Sequence, residues 1–385
     1  MLNIFFWLFI FLISYTYLIY PLILKLLAKN KTWKYLAGDA IPEVSILIPI
    51  HNEDHVIQSK ISSILTNGYP LEKIEIIVFS DASTDKSKEI VQSLANQYPF
   101  IKFHEHPTRM GKSFAVNQMV KLAKYDILLL TDANIILTKD AIKNNLRNYT
   151  YPEVASVASL IKNTLSNNQN DTGYQEKEYI NYENQIKYLE GLIWGCTISP
   201  FGACFSIRKK FFKPIPHHFL VDDFFITSNI LNQKQECILD LGSVCFEQLS
   251  GSTAIESKRR RRISAGNFQN LSYFFKILNP FKPHGFCFWS HKGLRWLTPF
   301  FLVIIFIINF IILETSWLYQ ILFALQLLFY CIPLTGIRFK QNNWLNKLLK
   351  FVNYFIVMNI SLLAGFYDYC RGIKVGYWDI TKRHI

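Results

Sequence analysis

Apolar positions along the chain fall into two regimes: long unbroken runs near both ends, and short runs separated by helical periodicity in the middle. The first long run, Ile4 to Leu24, is interrupted mainly by Ser14 and Thr16. Roughly twenty such residues, rising ~1.5 Å each, cross a hydrocarbon core ~30 Å thick. A cleaved signal peptide fits poorly, because no Lys or Arg precedes the run and no small-residue cleavage site follows it. Further apolar blocks extend from Trp296 to about Leu313 and, after a break at Glu314 and Thr315, from Trp317 to Leu334. A shorter stretch, Phe351 to Phe366, contains Asn353 and Asn359. Three crossings there would leave the C-terminus on the far side, whereas Arg371, Lys374, Lys382 and Arg383 argue for the near side. The last stretch therefore reads either as re-entrant or interfacial, or as an exception to the charge rule. The expected organisation is a membrane helix over 1–27, a folded domain over 40–280, membrane helices over 290–370 and a basic tail over 371–385.

Between Glu43 and Arg147 the period changes repeatedly. Val44 to Ile50 is a continuous apolar run, as expected of a strand buried on both faces, and Asp54 to Leu65 reads as a helix. Ile74 to Phe79 predicts a second buried strand, followed by a helix that Ser83 or Thr84 could cap and that runs towards Gln97. Ile101 to His104 is a weaker strand and Lys112 to Lys124 is helical; Ile127 to Leu130 is a strand and Lys139 to Asn148 is helical. This alternation predicts an α/β fold, a mostly parallel Rossmann-like sheet with helices on both faces, flanked by transmembrane helices.

Composition narrows the class. Of 385 residues, 50% are hydrophobic and 18% charged, which excludes a disordered chain. Against 28 Asp+Glu stand 41 Lys+Arg, a net charge of +13 that suits anionic headgroups, phosphorylated substrates or nucleic acid. Lys25, Lys29, Lys31 and Lys34 directly follow the first apolar run, so the positive-inside rule places the domain in the cytoplasm. Seven Cys without a Cys-x-x-Cys pair indicate neither a zinc site nor a disulfide framework.

Ligands of open parallel sheets bind beyond the carboxyl ends of the strands, and the polar clusters of the alternating region fall there. His51, Asn52 and Glu53 follow the first strand, and Asp81 the second; Arg109, Gly111 and Lys112 follow the third, and Asp132 and Asn134 the fourth. Asp81 opens Asp81-Ala82-Ser83-Thr84-Asp85, which reads as a turn or as a carboxylate for a nucleotide's base or ribose. Asp132 and Asn134, two residues apart, can approach one hard cation that bridges diphosphate oxygens. Arg109 to Ser113 ends like a phosphate loop but has His106 where the full motif requires Gly; cations and free amides at a helix start still suit a diphosphate. His51 and His55 do not form a metalloprotease motif, because Asn52 stands where Glu is required. Asp222-Asp223 is either a helix start stabilised by the dipole or a general base whose pKa its neighbour raises. Lys258 and Arg259 to Arg262 form either a headgroup patch or, through one member, a clamp on a phosphate leaving group. Phe268, Tyr273, Phe274 and Phe275 follow, in keeping with an interfacial segment. A nucleic-acid role is disfavoured, since the basic run adjoins a membrane segment without a recognition fold.

Taken together, Val44 to Glu53, Ser80 to Asp85, Arg109 to Lys112 with Asn117, Thr131 to Asn134, Gly202-Ala203 with Arg208, Asp222-Asp223 and the Arg-rich run resemble, in order, membrane-bound glycosyltransferase family 2 with its glycosyltransferase A-type fold. The resemblance implies an inverting sugar transfer from a nucleotide-sugar donor to a lipid-linked or cell-surface glycan, assisted by Mg2+ or Mn2+, at the inner or plasma membrane. By that analogy Asp81, Glu53, His51, Arg109 and Lys112 bind the nucleotide sugar, and Asp132 and Asn134 hold the metal. Asp223, or else Asp222, is the base, and Arg262 stabilises the departing nucleoside diphosphate. Two departures stand out. Asn134 replaces the usual closing Asp of the metal motif, and Ile263 follows Arg262 where polymerising relatives have Trp, which disfavours a processive polysaccharide synthase. A non-catalytic membrane scaffold that keeps the nucleotide fold is the alternative of a different class.

Overall fold

The computed structural model describes residues 1–35, 41–164, 171–248, 253–335, 344–373 and 376. Eight strands, β1 (Val44–Ile50), β2 (Ile74–Asp81), β3 (Ile101–His106), β4 (Ile127–Thr131), β5 (Ile135–Leu137), β6 (Val154–Thr164), β7 (Cys204–Arg208) and β8 (Glu236–Gln248), form one sheet among the described residues. Their order is β3-β2-β1-β4-β7-β6-β8-β5. The first four are mutually parallel; β7 runs antiparallel to β4 and β6, β8 parallel to β6, and β5 antiparallel to β8. Every residue of β1 and β2 is buried, because helices cover both sheet faces. Alternation along β1 sends Ile46, Ile48 and Ile50 against Ile57, Ile61 and Ile64 of the helix Asp54–Leu65. Leu47 packs on the other face against Ala115, Val116 and Met119 of the helix Lys112–Leu122.

The parallel half follows the apolar pattern closely, with local differences. The helix after β2 starts at Ser87, beyond Ser83 and Thr84. Asp85 Oδ1 accepts from the Ser87 amide (3.0 Å), while Ser83 Oγ accepts from the Asn52 amide (3.1 Å) and so fastens the β1 turn to the β2 turn. The expected helix after β4 shortens to Ala141–Leu146 and continues as a tighter turn, Arg147–Thr150.

Among the described residues, three helices are long and apolar enough to cross a bilayer: Leu2–Ala28, Pro283–Ile311 and Trp344–Cys370. Trp317–Cys331, with 15 residues, spans only ~22 Å, short of a full crossing. It doubles back along its predecessor, where Tyr330 donates to the Leu302 carbonyl at 2.8 Å. The first two long helices pack antiparallel: Phe6 joins Ile308 and Ile312, while Thr16 Oγ1 donates to the Ser290 carbonyl at 2.7 Å. Each contains a π-helical turn at that crossing, Tyr15–Ile19 and Phe288–Gly293. A buried ionic cluster joins them to the helix Asp171–Trp194. Glu183 accepts from Lys292 and Arg295 and lies 3.2 Å from the His291 ring, whose other nitrogen is 3.0 Å from Glu190. Removing one member of such a cluster leaves a buried charge uncompensated, which costs ~3–5 kcal/mol.

The Arg-rich run occupies the helix Thr253–Phe274, against which Trp344–Cys370 lies side by side. Ser257 and Ser361 hydroxyls meet at 2.7 Å, Ser264 Oγ donates to the Leu362 carbonyl at 2.8 Å, and Arg261 pairs with Asp368. Phe268 and Phe274 turn into the core, whereas Tyr273 and Phe275 are exposed. Beyond this helix, Gly376 packs on Gly111, so the chain returns to the side that carries the sheet, in line with the basic residues that follow the last apolar stretch. Lys374, Lys382 and Arg383 themselves lie outside the described residues. The two helices touch closely at Gly365, where a Cβ would overlap the Arg261 carbonyl and the Ser264 side chain. Gly365→Ala is expected to lower stability by ~1–3 kcal/mol, read as the thermal midpoint in detergent; an unchanged midpoint would contradict this packing.

Candidate active site

The carboxyl ends of β1, β2 and β4 and the turn after β3 carry the side chains singled out from the sequence, but these side chains do two different jobs. Asp81, at the end of β2, is completely buried. Its Oδ1 accepts from the Met110 amide (2.7 Å) and its Oδ2 from the Gly111 amide (2.8 Å), so this carboxylate shapes the loop that precedes the helix Lys112–Leu122. Gly111 has φ +95°, and a Cβ there would strike the Gly376 carbonyl, so the position requires glycine. His51 reaches the Asp81 carbonyl through Nδ1 at 2.7 Å. Asn52, at φ 55°, accepts from the Thr84 amide through Oδ1. The lining of the main cavity does not include His51, Asp81 or Arg109.

That cavity, about 700 Å3, is lined by Glu53, Lys112, Asp132, Asn134, Asp222, Asp223 and Arg262. Lys112 is the link among them, with Nζ 2.9 Å from Asp132 Oδ1 and 3.4 Å from Asp222 Oδ2. Burial alone would discharge this amine, but Asp132 and Asp222 outweigh that penalty and hold its pKa above the ordinary lysine value. Asp222 and Asp223 open the helix Asp222–Asn232, where the exposed amides of a first turn favour carboxylates. Asp223 Oδ1 accepts from the Phe224 amide at 2.8 Å. Burial, then the charge of Asp222, push the Asp223 carboxyl up to about 6, against the pull of that amide, Lys187 and Lys112. A carboxylate with this poise takes a proton efficiently near neutral pH. Gly202 faces its side chain.

Asp132 follows β4, and its amide donates to the Ala203 carbonyl at 3.1 Å. Asn134 lies two residues on, and its Nδ2 is buried with no hydrogen-bond partner among the described residues. One carboxylate and one side-chain amide on a cavity wall offer oxygen donors suited to a hard divalent cation, whose remaining ligands would come from a diphosphate and water. Among the described residues no cluster of three His, Cys, Asp or Glu side chains forms a closed protein cage. The donor set therefore fits a cation shared with a phosphorylated ligand. Arg262 Nη1 donates to the Leu220 carbonyl at 3.4 Å and faces the same space, whereas Arg259 and Arg260 are engaged by glutamates and Arg261 by Asp368.

Two lysines escaped the sequence reading. Lys60 is fully buried and donates to Thr131 Oγ1 (2.7 Å) and the Ile135 carbonyl (2.8 Å), bracing the turn that carries Asp132 and Asn134. Its signal was its place on the apolar stripe Ile57, Ile61, Ile64. Lys187 lies on the cavity wall over the Phe201 ring, 3.4 Å from its centre, and burial, with Lys292 adding, pushes it down to about 7. Its signal was a charged face, Glu183, Lys187 and Glu190, along one helix. The far part of the cavity is lined by Tyr17, Leu18, Trp296, Phe351, Phe355 and Met358 from the apolar helices.

Residues 45–215 match the family model described as glycosyl transferase family 2. A probable glycosyltransferase, YdaM, of Bacillus subtilis is 35% identical over 105 residues, 26% of this chain and 25% of that protein. A dolichyl N-acetyl-alpha-D-glucosaminyl phosphate 3-beta-D-2,3-diacetamido-2,3-dideoxy-beta-D-glucuronosyltransferase of Methanococcus voltae is 30% identical over 132 residues, 32% of this chain and 40% of that protein. The chain thus spans less than half the length of either relative. A mannosyltransferase from Pyrobaculum calidifontis, solved with GDP-Man and Mn2+, superposes over 95% of this chain and 99% of its own, with a TM-score of 0.73 at 19% identity. That likeness extends over the apolar helices as well as the sheet. Residues 45–215 are thus similar to glycosyl transferase family 2, and the chain shares the glycosyltransferase A-type fold of the Pyrobaculum mannosyltransferase.

Proposed function

We propose that this protein transfers a sugar from a nucleotide-sugar donor to a lipid-linked acceptor at the membrane, with inversion at the anomeric carbon. The observation that carries the reading is that Asp132, Lys112, Asp222, Asp223 and Arg262 line one cavity, whose far wall is built from helices long and apolar enough to span a bilayer. A nucleotide's diphosphate finds positive charge there from Lys112 and Arg262. Asp132 and Asn134 would hold Mg2+ or Mn2+, which supplies Lewis-acid neutralisation of the diphosphate when bound; Mn2+ and GDP-Man accompany the Pyrobaculum mannosyltransferase. The Methanococcus relative is named for a dolichyl phosphate-linked sugar acceptor, which supports a lipid-linked acceptor here.

In the proposed step the acceptor hydroxyl oxygen forms a bond to the anomeric carbon as the bond from that carbon to the diphosphate oxygen breaks. The hydroxyl proton passes to Asp223, and the nucleoside diphosphate leaves with the electron pair towards Lys112 and Arg262. Asp222 is ion-paired with Lys112, and the charge it presents to Asp223 raises the basicity of its neighbour. Asp81 acts through the Met110–Gly111 amides, by holding the loop on which the nucleotide rests. The lysines at the domain end of the first helix favour a cytoplasmic catalytic domain.

Asp223→Asn is expected to reduce turnover by ~10²–10⁴-fold with donor affinity nearly unchanged, measured as nucleoside diphosphate release and donor binding; wild-type turnover would remove Asp223 as base. Because the base must be deprotonated and its pKa is lifted to about 6, kcat/KM is expected to fall tenfold per pH unit below about 6 and to be flat just above it. An acid limb near ~4, the ordinary carboxylate range, would contradict this assignment. Chelation with EDTA should stop transfer, and added Mn2+ or Mg2+ should restore it; activity that survives chelation would exclude the cation.

A further inference from the structure

The same cavity carries a second polar cluster that the transfer step leaves unused. Glu176 and Tyr179 come from the helix Asp171–Trp194, Glu247 from β8, and Arg259 and Arg260 from the Arg-rich helix; all five line the same cavity as Asp223. Arg259 lies 3.5 Å from both Glu176 and Glu247, and Arg260 pairs with Glu256 while its guanidinium covers the Tyr179 ring at 4.4 Å. Glu176 is only 3% exposed, yet its Oε2 has no hydrogen-bond partner among the described residues. A buried carboxyl oxygen left unmatched is unfavourable, so this atom on the wall has the character of a site waiting for a ligand's hydrogen-bonding group.

We infer that Glu176, Glu247 and Arg259, with the Tyr179 ring, form a subsite for the hydroxyl groups of a sugar already carried by the acceptor, so that the lipid-linked acceptor is a glycolipid extended at a hydroxyl rather than a bare lipid phosphate. The inference rests on the glycosyl-transfer reading above. Hydroxyls donate to carboxylates and accept from guanidinium, and sugar faces stack on aromatic rings, so the cluster matches a polyol in kind. A phosphate monoester does not match it. It carries its own charge and requires no general base, whereas Asp223 is built as one. The carboxyl oxygens of Glu176 and Glu247, two of the cluster's members, are also acceptors by kind, which suit a hydroxyl better than a phosphate oxygen.

The test uses the full chain in phosphatidylcholine nanodiscs, free of sugar-based detergent, with a panel of UDP-, GDP- and dTDP-sugars as donors. Decyl glycosides and decyl phosphate are offered as matched acceptors, and the readout is nucleoside diphosphate release together with the glycosylated product. A decyl glycoside is expected to raise release at least ~tenfold over hydrolysis, with decyl phosphate inert, and Glu176→Gln is expected to raise the glycoside KM ~tenfold, the equivalent of one hydrogen bond. Thermal unfolding on the same preparation reports whether the variant is folded. Preferred transfer to decyl phosphate overturns the inference while leaving the glycosyltransferase reading standing, as does an unchanged glycoside KM in folded Glu176→Gln. Absence of release from every donor with both acceptors overturns the two together.

Discussion

The ion pairs of Lys112 with Asp132 and Asp222 are the constraint on which the site depends. They join three elements distant in sequence: the helix after β3, the turn after β4 and the helix Asp222–Asn232. A lysine buried without partners would lose its proton; here two carboxylates keep it charged, and one of them, Asp222, stands beside Asp223. The raised basicity of Asp223 is thus a product of its neighbourhood, since the same carboxylate exposed at a helix start would titrate near ~4. Asp81 extends the arrangement one layer outwards, fixing the loop that delivers Lys112 by occupying its own oxygens with backbone amides.

Much of the parallel half was legible in the sequence because its strands are buried on both faces and therefore appear as unbroken apolar runs with defined ends. The polar residues beyond Ile50, Asp81, His106 and Thr131 then fell at one edge by topology alone. The second half resisted reading for a physical reason. β5 to β8 combine parallel and antiparallel pairing between partners far apart in sequence, and nothing local specifies which strand lies beside which. Among site residues, Asp132, Asn134, Asp222, Asp223 and Arg262 were found as motifs and do share a cavity. Asp81, for which the sequence left a turn role and a ligand contact open, accepts from the Met110 and Gly111 amides. Lys60 and Lys187 were overlooked because each appears in sequence as an ordinary helical lysine; only the apolar stripe around Lys60 and the charged face around Lys187 mark them as buried.

Junctions between the sheet domain and the apolar helices are polar rather than greasy. The Glu183 cluster with His291, Lys292 and Arg295, and the Arg261–Asp368 pair, fix register where apolar surfaces alone would allow sliding. The paired π-helical turns at Tyr15–Ile19 and Phe288–Gly293 fall at the same level, and such turns recur where a helix must redirect side chains towards a functional space. Tyr17, Leu18, Lys292 and Arg295, all on the cavity wall, sit in or directly beside them. The Arg-rich run, which looks in sequence like a headgroup patch, is largely consumed by this internal architecture.

The apolar wall formed by Phe351, Phe355 and Met358 has a consequence for encounter. In the proposed reaction a molecule with a hydrocarbon tail would reach this wall by lateral diffusion within one leaflet, so surface density would set its supply, while the water-soluble donor would arrive from the aqueous volume. Two reactants confined to different dimensionalities would then meet at a single carboxylate, and saturation by one would say nothing about saturation by the other.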